Sequence, residues 1–382
     1  MAKKLLFIFG TRPEAIKMTP LIKKSQKNKN FETIVCVTAQ HREMLDQVLN
    51  FFEIIPNYDL NLMLPNQDLS DLTSNAINKL KSVITEVKPD LILVQGDTTT
   101  AFIGALSAFY HKVPVAHIEA GLRSGDKFSP YPEEMYRTLT ADLAEYHFVP
   151  TGNSKLNLQK ENIKNNIYVT GSTVIDALLL GLGLIKNSGE EKYYDYFRFL
   201  DFSKKIILIT MHRRESFGKP LENICVALEL LAAKYRDVQF VYPVHPNPNV
   251  ENIVNNRLAN IKNIFLIYPL DYSFMIWLME KAYIIITDSG GLQEEAPTLG
   301  KPLLVTRDVT ERMEGVTAGT AKLVGTNIEN ILNETTKLLD NNDYYKTMAE
   351  THNPYGDGKA TEYIMKILTK ELSINESINL NT

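Results

Sequence analysis

Short apolar runs alternate with amphipathic stretches along most of the chain. The apolar runs are rich in β-branched residues, which is typical of strands buried on both faces of a parallel sheet. Helical patterns separate them, as in a doubly wound α/β fold. The pattern predicts strands in a first half at 4–9, 33–38, 91–95, 115–118, 146–149 and 167–170, and in a second half at 206–210, 239–243, 264–267, 283–287 and 302–305.

The segments that join these elements predict two Rossmann-like domains. A polar and aromatic stretch at 186–204 starts the second half, and a cluster of turn residues at 353–358 precedes a last helical pattern. A chain of 382 residues is long enough to form two domains, each with its own hydrophobic core. We therefore expect an N-terminal domain at 1–172, a C-terminal domain at 173–358, and a terminal segment at 359–382 whose helix packs back on the first domain before a polar tail.

The composition is that of an ordinary globular protein. Hydrophobic residues make up 44% of the chain, and 41 basic against 45 acidic residues give a net charge of −4. This balance favours neither nucleic acid nor a membrane surface as a partner, and no apolar run is long enough to span a bilayer. The two cysteines, Cys36 and Cys225, stand in apolar settings, so we expect core residues in a reducing, cytoplasmic compartment.

The segment 284–297 is a candidate nucleotide site, because it combines a buried strand, a turn of small residues and a helix start. Gly290 and Gly291 let backbone N–H groups turn toward a phosphate at the helix N-terminus. Ser289 can add a hydroxyl, and Glu295, one turn later, can accept bonds from both ribose hydroxyls. The alternative is a capped helix with an acidic first turn.

A second segment of this kind opens the chain. The predicted strand ends at Gly10, and a helix follows in which Pro13 suits the first turn. Arg12 and Lys17 place two cations at the carboxyl end of this strand, where ligands bind in open α/β sheets. Two such segments indicate two domains with a nucleotide-binding fold.

Three acidic positions follow strands of the first half. Asp97 comes after the strand 91–95, although it could equally cap the next helix. Glu119 directly follows the strand 115–118, where an unpaired buried charge is costly. Glu133 follows a Pro-Tyr-Pro sequence, and a favourable interaction with a helix dipole is its alternative explanation. Together they favour acid–base chemistry over packing.

Basic residues follow strands of the second half. His212 and Arg213 come directly after the strand 206–210, where a histidine can contact a phosphate or move a proton near neutral pH. His245 holds an equivalent position after 239–243. Arg307 and Arg312 flank the loop after 302–305, with a solvated surface as the alternative.

Several familiar motifs are missing from the sequence. It has no His-Glu-x-x-His, no paired cysteines and no Asp-x-Asp, which argues against a metal site. It also lacks the P-loop and the Gly-x-Gly-x-x-Gly fingerprints. The sequence therefore favours neither a nucleoside triphosphatase nor a dinucleotide-dependent oxidoreductase.

The motifs occur together in one known family. The chain resembles the non-hydrolysing UDP-N-acetylglucosamine (UDP-GlcNAc) 2-epimerases of bacteria nearly from end to end. The segments that carry the resemblance are GTRPEAIKM at 10–18, AQHREML at 39–45, QGDTTT at 95–100, HIEAGLR at 117–123, PEE at 132–134, HRRE at 212–215, TDSGGLQEEAP at 287–297 and NPYGDG at 353–358.

The resemblance implies an isomerase of the GT-B type, with two Rossmann-like domains, an active site in the interdomain cleft and a homodimeric assembly. It implies reversible conversion of UDP-GlcNAc to UDP-N-acetylmannosamine (UDP-ManNAc) through a 2-acetamidoglucal, without a redox cofactor, in the supply of cell-surface polysaccharide. By position, the catalytic set is Asp97, Glu119, Glu133 and His212; the substrate contacts are Arg12, Lys17, Ser289, Gly290, Gly291, Glu295 and Arg312; and the activator site of some members corresponds to Gln40, His41, Arg213 and His245.

The chain also departs from the family pattern. Met211 stands where Gly is common, Tyr136 where Asn is common and Met313 where Pro is common. A basic residue that the allosteric members carry near Asn66 is absent.

Three other functions fit the same motifs. A hydrolysing epimerase would release UDP and N-acetylmannosamine, a GT-B glycosyltransferase would require an acceptor, and a nucleotide-sugar sensor would bind without turnover. The sequence also leaves open a modified UDP-sugar as substrate, and it does not assign the carboxylates to the two faces of C2.

Overall fold

The chain folds into two compact units, and each is built around one parallel sheet. The computed structural model describes residues 2–39, 42–63, 67–213 and 216–378, with side chains through Leu372. The first unit comprises Met1–Leu180 and Gly356–Thr382, and the second comprises Gly181–Tyr355. The division at Leu180 falls inside helix α7 (Thr173–Ser188), so a helix carries the chain from the first unit into the second.

The first unit contains a seven-stranded sheet in the order β3-β2-β1-β4-β5-β6-β7, with every neighbouring pair parallel. Strand β1 is rich in aliphatic and aromatic residues, and Leu5 to Phe9 have no exposed surface, as expected for a sheet covered on both faces. The strands are β1 (Lys3–Phe9), β2 (Phe31–Val37), β3 (Tyr58–Asp59), β4 (Leu91–Gln95), β5 (Val115–Ile118), β6 (Tyr146–Val149) and β7 (Ile167–Val169).

Helices connect these strands and cover the sheet. They are α1 (Arg12–Gln26), α2 (Arg42–Phe51), α3 (Leu69–Val87), α4 (Thr99–Tyr110), α5 (Glu133–Leu143) and α6 (Gly152–Lys160), followed by α7 and by the terminal helix α16 (Ala360–Ile378). The terminal helix packs on α1. Its start is fixed by Asp176, whose carboxylate accepts the backbone N–H groups of Ala360 and Thr361 at 3.2 and 2.8 Å.

The second unit contains a six-stranded parallel sheet in the order β10-β9-β8-β11-β12-β13. Its strands are β8 (Ile206–Thr210), β9 (Gln239–Pro243), β10 (Ile264–Ile267), β11 (Ile284–Thr287), β12 (Leu303–Val305) and β13 (Ala321–Leu323). Its helices are α8 (Glu191–Tyr196), α9 (Lys219–Lys234), α10 (Pro248–Leu258), α11 (Tyr272–Lys281), α12 (Gly290–Glu295), a 3₁₀ helix (Ala296–Leu299), α13 (Met313–Ala318), α14 (Ile328–Asp340) and α15 (Asn342–Ala349).

Both sheets follow the Rossmann-like strand order, in which the chain winds outward from the middle in both directions. The order reverses between β1 and β4 in the first unit and between β8 and β11 in the second. Ligands of such folds bind beyond the carboxyl ends of the strands at these reversals. The predicted α/β fold with two doubly wound sheets is confirmed, and each reversal marks an expected ligand-binding position.

Within the described ranges, no helix is both long and apolar enough to cross a membrane.

Candidate active site

The carboxyl ends of β1 and β4 are tied together by one buried carboxylate, Glu14. Its oxygens accept the backbone N–H groups of Gly10 and Thr11 at 3.0 and 2.8 Å and the hydroxyl of Thr98 at 2.6 Å. Burial raises the pKa of Glu14, although these donors oppose the shift. The role of Glu14 is not evident from the sequence, because its partner Thr98 lies 84 residues away in the chain. Glu14 fixes the start of α1, where Arg12 lies, and the loop that carries Asp97.

Glu119 follows β5 and is held by two side chains from neighbouring elements. Lys17 of α1 forms an ion pair with its Oε2, and Gln95, the last residue of β4, donates to the same oxygen at 3.1 Å. The backbone of Glu119 has φ +64°, a left-handed conformation that a residue with a side chain adopts at a cost of about 1 kcal/mol or more. A paired carboxylate in a strained backbone at a strand end is an arrangement that packing alone does not explain.

Asp97 follows β4 and forms an ion pair with Arg137 of α5. Nε of Arg137 lies 2.6 Å from Oδ2 of Asp97. Asp97 does not cap α4, because the cap is Thr98, whose hydroxyl accepts the N–H of Ala101 at 3.1 Å. The capping alternative for Asp97 is therefore wrong. Gln95 pairs with Ile118 across β4 and β5, so Asp97 and Glu119 follow adjacent strands at the same edge of the sheet.

Glu133 begins α5, so it does lie at the helix N-terminus that the sequence offered as its alternative explanation. One of its carboxylate oxygens, Oε2, is buried and accepts no hydrogen bond from the described part of the chain. Its neighbour Glu134 differs, since it binds the backbone N–H groups of Ser124 and Gly125. Tyr136, at a position where the family commonly has Asn, stacks on Phe102 of α4 with ring centroids 5.1 Å apart. This stack fixes α5 on α4.

His117 supports the same edge from inside β5. Its Nε2 lies 2.7 Å from the carbonyl oxygen of Gly96, the residue before Asp97. Burial lowers the pKa of His117 to about 3, so the imidazole is neutral and carries its proton on Nε2 as a donor. Gly96 itself has φ +71°, a conformation suited to glycine. Two features therefore fix the turn that presents Asp97: the hydrogen bond between His117 and the carbonyl of Gly96, and the left-handed backbone of Gly96.

In the second unit, His212 lies beside a fully buried carboxylate, Asp288. The backbone N–H groups of His212 and Arg213 donate to Oδ2 of Asp288 at 3.0 and 2.9 Å, and Nδ1 of His212 lies 3.0 Å from Oδ1. Burial would raise the pKa of Asp288, but the contacts from His212 and Arg213 outweigh it and lower the pKa. These contacts link the segments that follow β8 and β11, the two strands between which the strand order reverses.

Two guanidinium groups lie against the start of α12. A Cβ atom built on Gly290 would lie 3.0 Å from Nη1 of Arg312 and 3.4 Å from Nη2 of Arg213. Arg312 is itself held by Glu294 at 2.7 Å and by Glu311 at 2.8 Å. Burial opposes ionisation of Glu311, but Arg312 and neighbouring arginines lower its pKa to about 2. Positive charge and backbone N–H groups converge at this turn, which suits an anion.

Most of the other residues that the sequence singled out are described by the structure, and a few are not. Ser289 is the N-cap of α12, Glu295 is its buried last residue, and Gly291 lies between them. His245 follows β9 with a largely exposed side chain, and its partial desolvation together with the nearby His212 lowers its pKa. Arg12 is the first residue of α1. Arg307 lies after β12 and forms an ion pair with Glu311. Gln40 and His41, together with Asn66, Arg214 and Glu215, lie outside the described residues.

The departures from the family pattern have local explanations in two cases. Met211 is buried, and its sulfur accepts the hydroxyl of Thr306 at 3.1 Å. Tyr136 makes the aromatic stack with Phe102. Met313 begins α13 with a partly exposed side chain, and nothing in the structure explains its replacement of Pro.

The two units divide the chemistry between them. The first provides carboxylates with defined partners at adjacent strand ends, which can exchange protons with a substrate. The second provides a histidine and a cation-lined helix start, which can stabilise a phosphate or a leaving group. In the ranges that the structure describes, no cluster of three or more His, Cys, Asp or Glu side chains could hold a metal ion.

Comparisons with known proteins agree on one family. The family model described as UDP-N-acetylglucosamine 2-epimerase matches residues 23–369. The UDP-N-acetylglucosamine 2-epimerase of Escherichia coli O157:H7 is 54% identical over 368 residues, which are 96% of this chain and 98% of that protein. The crystal structure of UDP-GlcNAc 2-epimerase from Neisseria meningitidis bound to UDP-GlcNAc superposes with a TM-score of 0.90 at 50% identity, covering 96% of this chain and 100% of that one. The Methanocaldococcus jannaschii UDP-GlcNAc 2-epimerase in complex with UDP-GlcNAc and UDP has a TM-score of 0.80 at 34% identity, covering 96% and 99%.

Proposed function

The chain belongs to the UDP-N-acetylglucosamine 2-epimerase family, and on that premise we propose that it interconverts UDP-GlcNAc and UDP-ManNAc without hydrolysing either. The observation that carries the proposal is the pair of held carboxylates, Asp97 and Glu119, at adjacent strand ends. It is also supported by relatives whose crystal structures contain UDP-GlcNAc or UDP.

The chemistry of the substrate explains why such groups are needed. The C2 proton of the sugar is not acidic, because no adjacent carbonyl group stabilises a carbanion. When the C1–O bond to UDP breaks first, the anomeric carbon gains positive charge and the C2 proton can be removed. The products of this elimination are UDP and 2-acetamidoglucal. Delivery of a proton to the opposite face of C2, with return of UDP to C1, gives the other epimer.

We assign proton transfer to the first unit. Removal and delivery of the C2 proton require groups on both faces of the sugar, one acting as base and one as acid. Asp97, Glu119 and Glu133 are the candidates. Lys17 stabilises Glu119 as a carboxylate through its ion pair, whereas Glu133 has a buried oxygen that accepts nothing from the described residues.

We assign the nucleotide to the second unit. The diphosphate binds at the start of α12, at Ser289, Gly290 and Gly291, where Arg312 and Arg213 add positive charge. His212 stabilises the phosphate oxygen as the C1–O bond breaks, and Glu295 binds the ribose. Arg12 and Lys17 of the first unit contribute further positive charge.

Three further parts of the proposal rest on the family resemblance. We propose a homodimer, a cytoplasmic location and a role in supplying a sugar for cell-surface polysaccharide. The location is supported by Cys36 and Cys225, which are both buried free thiols. Sedimentation equilibrium tests the dimer, because a monomer mass across a range of concentrations would contradict it.

The decisive experiment is proton NMR of the purified protein with UDP-GlcNAc in deuterated water. We expect both UDP-sugars to appear, with deuterium at C2 of each. Free N-acetylmannosamine and UDP would indicate the hydrolysing reaction instead. Binding of UDP-GlcNAc without exchange at C2 would contradict epimerisation and would favour a transferase, which an acceptor screen could then identify, or a sensor.

A further inference from the structure

Arg137 bridges two carboxylates of the first unit, and only one of them belongs to the proposed catalytic set. We propose that Arg137 is a positioning residue, which holds the carboxylate of Asp97 in its reactive orientation while Glu134 fixes Arg137. This inference deepens the proposed function and rests on it.

Arg137 contacts only one of the two carboxylate oxygens of Asp97. Nε of the guanidinium lies 2.6 Å from Oδ2 of Asp97, and no described residue donates to Oδ1. The side chain of Arg137 is 13% exposed and that of Asp97 is 26% exposed, so the ion pair is only partly screened by water. Arg137 therefore occupies one oxygen of Asp97 and leaves the other to meet a substrate.

The other side of the guanidinium is anchored. Nη1 of Arg137 donates to Oε2 of Glu134 at 3.0 Å, one helical turn earlier in α5. Glu134 is 5% exposed at its side chain and also accepts the backbone N–H groups of Ser124 and Gly125. The loop after β5, the start of α5 and the loop after β4 are thus connected through one arginine.

This network separates the roles of two adjacent glutamates. Both carboxylate oxygens of Glu134 accept hydrogen bonds, from backbone N–H groups and from Arg137. Glu133 is the preceding residue and points about 100° away around the helix axis. The sequence shows only a Glu-Glu pair, whereas the contacts assign Glu134 to holding the arginine and leave Glu133 available for the sugar.

The geometry also explains why the residue is arginine. Its planar fork can bind Asp97 through Nε and Glu134 through Nη1 at the same time. A lysine ammonium at this position is a compact point charge without fixed donor directions, so it does not hold both carboxylates in the same defined geometry. Charge alone is therefore insufficient for the proposed role.

The test compares Arg137→Met and Arg137→Lys with the wild-type protein in the epimerisation assay and in titrations with UDP. We expect kcat and the rate of deuterium entry at C2 to fall at least tenfold for Arg137→Met, and by a smaller factor for Arg137→Lys. KM and the Kd for UDP should stay within about threefold, because the arginine acts through Asp97 and not through the nucleotide. Added guanidinium should restore part of the activity of Arg137→Ala.

Arg123→Met is the matched control. Arg123 is similarly buried at 9% exposure and forms its ion pair with Glu161 instead of with Asp97 or Glu134. We expect it to lose thermal stability comparably while kcat stays within about threefold. Glu134→Gln, which keeps the size of the side chain but loses the charge, supplies a second variant if Arg137→Met does not fold, and should lower kcat as well.

The outcomes separate the two proposals. A wild-type protein without C2 exchange would overturn the proposed function, and the role of Arg137 would fall with it. An active wild type with unchanged kcat in Arg137→Met would overturn the role of Arg137 alone. A fall in kcat that is matched by Arg123→Met would show that the arginine supports folding and does not position Asp97.

Discussion

Nδ1 of His212 lies 3.0 Å from Oδ1 of Asp288, a carboxylate without exposed surface. The histidine side chain is itself 45% exposed. A buried carboxylate that accepts the proton of Nδ1 selects one tautomer and leaves Nε2 to face a ligand. The sequence indicated His212 as functional, but the structure adds the residue that orients it.

Asp288→Asn should weaken this orientation. The amide keeps the size of the carboxylate but removes its charge and replaces one acceptor with a donor, which would face the N–H groups of His212 and Arg213. We expect kcat to fall by about ten- to a hundredfold and the free energy of unfolding to fall by about 1–3 kcal/mol. Steady-state kinetics and urea denaturation measure the two effects.

Asp271→Asn is the control for this change, because Asp271 is an exposed N-cap of α11 without a side-chain capping bond. Equal turnover in wild type and Asp288→Asn would show that His212 does not depend on this carboxylate.

Asp97→Asn and Glu119→Gln should separate catalysis from binding. Each change keeps the shape of the side chain and removes the group that exchanges a proton. We expect turnover to collapse by about a thousandfold or more, while the Kd for UDP changes only a few-fold. Isothermal titration with UDP and the NMR exchange assay make the comparison.

Asp90→Asn is the matched variant, since Asp90 precedes β4 at the opposite end of the strand and binds the N–H of Lys4. It should keep its turnover. Unchanged turnover in Asp97→Asn or in Glu119→Gln would remove that residue from the catalytic set.

Gly290→Ala should weaken the nucleotide site. The new Cβ would approach Nη1 of Arg312 to 3.0 Å, so this guanidinium must shift away from the start of α12. We expect the Kd for UDP to rise about tenfold, which corresponds to about 1.4 kcal/mol. Fluorescence or calorimetric titration with UDP measures the change.

Gly183→Ala tests whether any added methyl group has this effect. Gly183 lies in helix α7 with open space where its Cβ would be, and we expect unchanged affinity. Tight UDP binding by Gly290→Ala would place the diphosphate elsewhere.

Two buried histidines should make the protein sensitive to acid. Burial lowers the pKa of His117 to about 3 and that of His147 to about 4. Both values lie below the ordinary value of 6.5, so the unfolded chain binds more protons below pH 6.5 and stability falls with pH. The loss at pH 5 is about 2 kcal/mol for each histidine.

We therefore expect His147→Phe to lose less thermal stability than the wild type between pH 7 and pH 5, measured by circular dichroism. Replacement of the exposed His352 by Gln should leave the pH dependence unchanged. Parallel stability curves for wild type and His147→Phe would contradict the prediction.

The fold was predictable from the sequence because its signals are local. Strands β1 and β8 consist mainly of apolar residues, and stretches with a helical pattern separate the strands along the chain. The sequence missed β3 and β13, the short edge strands Tyr58–Asp59 and Ala321–Leu323. Two or three residues are too few to show a period, and an edge strand is defined by its neighbour in the sheet.

The candidate site was predictable only in part, for the same reason. Residues such as Glu119 and His212 could be assigned to strand ends, because their positions follow from the strands themselves. Glu14, Arg137 and Asp288 could not be interpreted, since their partners lie far away in the chain and only the folded structure brings them together. The sequence thus indicated which residues could react, but not which residues hold them.

The left-handed backbone of Glu119 has an evolutionary consequence. Glycine would relieve the strain at φ +64°, and asparagine tolerates this conformation better than glutamate. Either replacement would also break the ion pair with Lys17, in which the two side chains are only 11% and 10% exposed, and such a loss costs about 3–5 kcal/mol. This cost exceeds the strain that is relieved, so selection for thermal stability alone keeps a carboxylate at position 119. A library screened only for heat resistance should therefore retain glutamate here, in spite of its unfavourable backbone conformation.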